Sequence, residues 1–123
     1  MYEYKLKIVK VIDGDTVDGI IDCGFDIFVK KRIRLSKINA PETRTRDKFI
    51  KARGMLAKDR LKQLLKESAD NLTVKTELDK TGKFGRVPGV LFATHLDSAF
   101  QGRRLNINQQ LLTEGLVEVY GKI

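Results

Sequence analysis

The sequence predicts a small α+β domain: a closed or nearly closed sheet with one long helix covering an end. Three observations point there. Segments with alternating or β-branched residues fill the first third of the chain, an amphipathic stretch follows, and alternation then returns before a short capped helix. A length of 123 residues leaves room for one core, so residues 1–123 are read as a single domain. With 41% hydrophobic and 33% charged residues, the composition is that of a globular chain rather than a disordered or fibrous one.

Tyr4, Leu6 and Ile8 alternate with Lys5, Lys7 and Val9, and the run closes at Val11-Ile12 before the turn-forming Asp13-Gly14-Asp15. Thr16 to Ile21 and Ile27 to Leu35 are rich in β-branched residues. Asp22-Cys23-Gly24-Phe25-Asp26 joins them, with glycine available for positive φ, so these segments predict a three-stranded meander. Asn39-Ala40-Pro41-Glu42-Thr43 breaks the strand pattern, because Pro41 lacks a donor and holds Ala40 extended.

From Lys48 to Glu67, Phe49, Ala52 and Leu56, then Ala57, Leu61, Leu64 and Leu65, recur at three- and four-residue spacing, which predicts an amphipathic helix weakened at Gly54. Leu72 to Leu78 and Val87 to Thr94 read as two more strands around a polar turn at Asp79 to Gly85. Pro88 places the second of these at an edge or a bulge. His95 to Arg104 reads as a loop, Asn106 caps a short helix running through Glu114 and stopped by Gly115, and Leu116 to Tyr120 is an extended tail. The best match is a five-stranded OB-fold-like β-barrel with one helix between strands 3 and 4 and a short C-terminal helix.

A formal charge of +8 favours a polyanionic partner through counterion release, and nucleic acid is the first candidate. No apolar run approaches the ~20 residues of a membrane span. Met1 to Val11 is unlike a signal-peptide core, so the reading is a cytoplasmic protein with no membrane partner. Cys23 is the single cysteine, which excludes an intramolecular disulfide and a thiolate zinc site; it reads as an incidental thiol near a turn.

Asp13-Gly14-Asp15-Thr16 can present a hard oxygen ligand to Ca2+ or Mg2+, although such a string is more often an ordinary turn. Arg34 stands shortly before Glu42. Phosphodiester displacement needs such neighbours: a base to deprotonate water, and cations to offset charge on the phosphoryl oxygens, which the planar fork of arginine can grip in pairs. A second arginine closes Lys83-Phe84-Gly85-Arg86, where Phe84 either lies against a base or packs the turn. His95 is read as a loop histidine, Asn71-Leu72-Thr73 as a sequon that a chain without an export signal does not use, and Arg103-Arg104 as a solvated pair that adds to nucleic-acid attraction.

The order of these motifs is specific: Ile12-Asp13-Gly14-Asp15-Thr16-Val17, Ile33-Arg34-Leu35, Ile38-Asn39-Ala40-Pro41-Glu42-Thr43, Lys83-Phe84-Gly85-Arg86 and Leu112-Thr113-Glu114-Gly115-Leu116-Val117. Together they resemble the micrococcal nuclease (thermonuclease) family over nearly the whole chain. The resemblance implies that Asp15, the Asn39 side chain and the Ala40 carbonyl hold a metal ion, that Glu42 addresses the attacking water, and that Arg34 and Arg86 clasp the scissile phosphate. Lys83, Phe84 and Tyr120 are the implied substrate contacts. It further implies Ca2+ as cofactor, with Mg2+ or Mn2+ as alternates, and a monomer acting on DNA and RNA, single strands preferred, to leave 3′-phosphate ends. The family usually carries Asp where this chain has Asn39, and the tyrosine pair that lines its nucleotide pocket does not follow Tyr120 here. The rival reading is an OB-fold module that binds nucleic acid with weak catalysis or none.

Overall fold

The computed structural model describes residues 2–68, 71–77, 86–94 and 104–120. Strands β1 (Glu3–Asp13), β2 (Thr16–Asp22) and β3 (Phe28–Leu35) form the expected antiparallel meander. The turn between β2 and β3 takes positive φ at Gly24, as expected, and also at Phe25 and Asp26. A two-residue strand β4 (Ile38–Asn39) leads through a loop into helix α1 (Lys48–Ser68). Then come β5 (Leu72–Thr76), β6 (Arg86–Thr94), β7 (Arg104–Asn106), helix α2 (Ile107–Thr113) and β8 (Glu118–Val119).

The barrel closes because β1 pairs with β5, β5 with β6, and β6 returns to β3 in a parallel seam from Arg32 opposite Arg86 to Leu35 opposite Gly89. The five-stranded barrel with a helix between its third and fourth strands is therefore the fold, with β4, β7 and β8 as short additions. Alternation puts Val17, Ile33, Leu35, Val74 and Leu91 inside, where they meet Ala57, Leu61 and Leu64 of α1 and Ile107 and Leu111 of α2. Each large aliphatic side chain so buried contributes about 1.5–3 kcal/mol.

Helix α1 starts where Asp47 Oδ1 accepts from the backbone N–H groups of Phe49 and Ile50, an N-cap. Its buried face is Gly54, Ala57, Leu61, Leu64, Leu65 and Ser68. The expected apolar stripe at Phe49, Ala52 and Leu56 is instead exposed, Phe49 at 85% and Leu56 at 61%. At 3.6 residues per turn, Leu56 lies about 200° around the helix from Gly54, so the two stripes cannot share a face. Gly54 is likewise not merely a weak point. A Cβ there would stand 2.6 Å from the Glu42 carbonyl oxygen and 2.7 Å from that of Pro41, so only glycine lets the helix lie against the loop.

Pro88 also departs from expectation: it sits in the closing seam opposite Arg34, not at an edge, and its carbonyl accepts from Glu77 N–H. Asn106 caps α2 by accepting from Gln109 N–H, and Gly115 takes positive φ just beyond the helix, both as expected. The tail at Leu116 to Tyr120 is extended but paired, since β8 lies antiparallel to β4 and Tyr120 N–H donates to the Lys37 carbonyl. The expected turn at Asp79 to Gly85, with Lys83 and Phe84, and most of the loop from His95 lie outside the described residues.

Candidate active site

At one end of the barrel the β1–β2 turn, the end of β3, the loop after β4 and the start of β6 meet around an open cleft of about 420 Å3. Asp15, Arg34, Asn39, Ala40, Glu42, Arg86 and Tyr120 all line it, together with Asp13, Thr16 and Pro41. Every expected site residue within the described part of the chain is thus brought to one place. Lys83 and Phe84 lie outside the described residues.

Asp15 is only 7% exposed, which would be costly for a carboxylate without partners. Its Oδ1 accepts from the Thr16 hydroxyl at 2.8 Å and its Oδ2 from the Ala40 N–H at 2.8 Å, with the Arg34 guanidinium 3.4 Å from Oδ2. These donors hold the carboxylate in one orientation and bring the Ala40 backbone beside it. Gly14 makes the approach possible for a reason other than turn geometry: its φ is not in the positive range, but a Cβ would stand 2.6 Å from that of Ala57 and 3.0 Å from that of Ala40. Asp13 contributes from the same turn by accepting from the Thr43 hydroxyl at 2.6 Å, which ties down the far side of the loop carrying Glu42.

Arg34 is held along its edge. Nη1 donates to the carbonyls of Ile38 at 2.8 Å and Leu35 at 3.0 Å, and Nη2 donates to Asn39 Oδ1 at 3.3 Å. The Tyr120 ring lies with its centroid 5.5 Å from the guanidinium carbon, within cation–π range, and the β4–β8 pairing sets it there. Arg32, Arg34 and Arg86 share the outward face of the closing seam, by alternation along β3 and register with β6. Arg32 is taken up by Asp18 in a two-bond pair at 2.8 and 3.1 Å, and this neighbour holds the Asp18 carboxyl below the usual carboxylate range. Arg34 and Arg86 are the two that line the cleft.

Glu42 is exposed at the rim, and among the described residues its carboxylate accepts no hydrogen bond, leaving it open to a water molecule in the cleft. Its backbone is gripped from behind by Gly54. Thr16, Thr43, Asp13, Gly14 and Gly54 are the supporting residues that sequence reasoning did not assign. Asp13, Gly14 and Thr16 stood in the turn string around Asp15 and Thr43 in the string around Glu42, but nothing local in the sequence gave Gly54 its packing role.

The donors suit a hard cation in kind: a carboxylate preset by three donors, with lone pairs to spare, beside an amide oxygen and a backbone carbonyl. They are sparing in charge, because Asn39 is neutral. Among the described residues no group of three or more His, Cys, Asp or Glu side chains is placed to hold a metal.

A closed barrel of this connectivity, with acids and arginines converging at one end, belongs to the nuclease-type OB folds. The chain is a member of the staphylococcal nuclease homologue family, whose model matches residues 32–123, a span that takes in Arg34, Asn39, Glu42 and Arg86. It is 30% identical over 118 residues to a micrococcal nuclease of Shigella flexneri, covering 96% of this chain and 59% of that protein. It is also 27% identical over 133 residues to an uncharacterised protein of Methanocaldococcus jannaschii, covering 95% of this chain and again 59% of the relative. The chain thus spans 59% of the length of each of these relatives.

Proposed function

We propose that the chain is a metal-dependent phosphodiesterase that hydrolyses DNA and RNA with little sequence preference and leaves 3′-phosphate ends. The observation that supports this best is the gathering of a preset buried carboxylate, two arginines and a glutamate open to solvent around one cleft. In this reading Arg34 and Arg86 grip the phosphoryl oxygens of a strand laid across the cleft, most readily a single strand, and stabilise the charge that gathers on them. Glu42 takes a proton from water as its oxygen bonds to phosphorus. The bond from phosphorus to the 5′ oxygen breaks, that oxygen takes a proton from solvent, and the phosphate stays on the 3′ side. Asp15, Asn39 and the Ala40 carbonyl would hold the cation, Ca2+ as the family generally uses, or Mg2+ or Mn2+. When bound, it supplies positive charge beside the phosphoryl oxygens.

Purified protein incubated with single-stranded DNA and RNA in Ca2+, Mg2+, Mn2+ or EDTA, with the product ends analysed, tests the reaction. In the active metal, Glu42→Gln keeps the shape and removes the charge. Turnover is expected to fall by about 10² to 10⁴ while metal-dependent nucleotide binding survives. Near-normal cleavage by Glu42→Gln removes the glutamate from this role. The neutral Asn39 favours a second reading, a module that binds strands with weak catalysis or none. Strand binding that persists in every metal without cleavage selects it.

A further inference from the structure

A larger concavity, about 1010 Å3, runs between β1 and the second half of α1. β5 pairs with β1 only from Glu3 to Lys5, so from Leu6 onward that edge of β1 has no strand beside it among the described residues, and the helix forms the opposite wall. The floor is apolar, built from Leu6, Ile8, Leu65 and Leu72. Lys5, Lys7 and Lys10 of the strand and Lys58, Lys62 and Lys66 of the helix are among its lining residues, and Asp22 is the one acid among the described residues that line the groove. None of these lysines forms a salt bridge with another described residue. At the far end Phe28 is 59% exposed.

Both walls begin beside the cleft. Val11 at the near end of the groove is two residues from Asp13 on the cleft rim, about 7 Å along the strand. Lys58 lies one helical turn beyond Gly54, which grips the Glu42 loop. From Lys5 to Val11 the groove runs about 20 Å. Lys58, Lys62 and Lys66 on the helix, with Lys5, Lys7 and Lys10 along the adjoining strand and the exposed Phe28 at the end, suit a linear polyanion with flat apolar faces: phosphates along the lysines and a base against Phe28. A concave channel fits a strand better than a flat lipid surface.

We propose that this groove is a second binding surface for single-stranded nucleic acid, holding the part of the strand that extends beyond the cleft. The proposal rests on the nuclease reading above and adds to it the way long substrates are held. The combined variant Lys58→Gln, Lys62→Gln, Lys66→Gln tests it from the helix side, and the double variant Lys7→Gln, Lys10→Gln tests it independently from the strand side. Affinity for a long mixed-sequence single-stranded DNA is measured in EDTA across a salt series, and cleavage of a dinucleotide, too short to leave the cleft, is measured in Ca2+. The helix variant should bind the long strand about tenfold or more weakly at 0.1 M salt, with the slope of log affinity against log salt reduced by about 2, while dinucleotide cleavage is unchanged. Phe28→Ala should weaken long-strand binding about fivefold with no change in that slope. Unchanged long-strand affinity and slope in both lysine variants overturns the groove and leaves the nuclease reading standing. If the native protein neither binds the strand nor cleaves either substrate, both fall together. Binding to phosphatidylserine-containing vesicles that disappears in the lysine variants, with strand affinity intact, assigns the groove to a membrane surface and overturns the proposal.

Discussion

Replacing Gly54 by alanine adds one methyl group at the point where α1 supports the Glu42 loop. The new Cβ would lie 2.6 Å from the Glu42 carbonyl oxygen, and ordinary contact begins at 3.4 Å, so helix and loop must separate by about 0.8 Å. Neither partner is a flexible side-chain end: both atoms in the way are backbone carbonyl oxygens, of Glu42 and Pro41. The loop is the weaker element, held on its other side mainly by the Thr43 to Asp13 hydrogen bond, so it moves and carries Glu42 with it. A displacement near 1 Å in a positioned catalytic group costs up to about 10²-fold in rate. Helix propensity acts in the opposite direction, since alanine is about 1 kcal/mol better than glycine inside a helix and offsets part of the clash. Gly54→Ala should therefore lower turnover at saturating oligonucleotide by about 10- to 100-fold while unfolding free energy changes by about 1 kcal/mol or less. Turnover within about twofold of the native protein would refute the idea that α1 sets the position of Glu42. Loss of stability in proportion to loss of activity would show global damage instead.

Asn108 is buried, donates to the carbonyls of Ser36 and Gly89 and accepts from Leu91 N–H. Asn108→Leu removes the partners of Leu91 N–H and of the Ser36 carbonyl, while the Gly89 carbonyl still accepts from Ser36 N–H, and should cost about 2–5 kcal/mol, read as a lower urea midpoint with unchanged slope. Arg60 donates two bonds to Glu114, at 2.7 and 2.9 Å, and holds its carboxyl below the usual range. Stability from a depressed carboxylate is present above its unfolded value of about 4.3 and is lost as pH falls through the folded value. Glu114→Gln should thus cost about 1 kcal/mol at pH 7 and converge with the native protein in acid, as pH-dependent urea unfolding would show. Asn39→Asp should need less Ca2+ for half-maximal cleavage, with the largest gain at low Ca2+; coincident activation curves place residue 39 outside the metal shell.

The cleft was legible because each of its residues sits in a short string at the end of a strand, where alternation and turn chemistry fix the surroundings: Asp15 after Gly14, Arg34 between Ile33 and Leu35, Glu42 after Pro41. What joins those strings was not. Gly54 reads by propensity alone as a flaw, and only the approach of residues 41 and 42 reveals it as a contact surface. Asn108 sits inside a short helix while its partners are at positions 36, 89 and 91, which no local pattern brings together. The wrong stripe on α1 has the same origin. Spacing identifies residues that share a face, but Phe49, Ala52 and Leu56 share one too, and the barrel decides which face it covers. Pro88 misled for a similar reason, since strand statistics do not anticipate a parallel seam at the start of β6.

That seam has a consequence for how the protein comes into being. Arg32 and Arg86 are neighbours across it yet lie more than fifty residues apart in the chain, and drawing such distant segments together costs chain entropy before any contact rewards it. The β1–β2–β3 meander and α1 are made of local contacts and can form early; the β3–β6 closure cannot. Arg34 and Arg86 come to line one cleft only with that closure, since they sit on the two strands it joins. The two guanidinium groups of the cleft are thus brought together by a contact between distant parts of the chain, and a chain that stalls short of closure lacks the cleft.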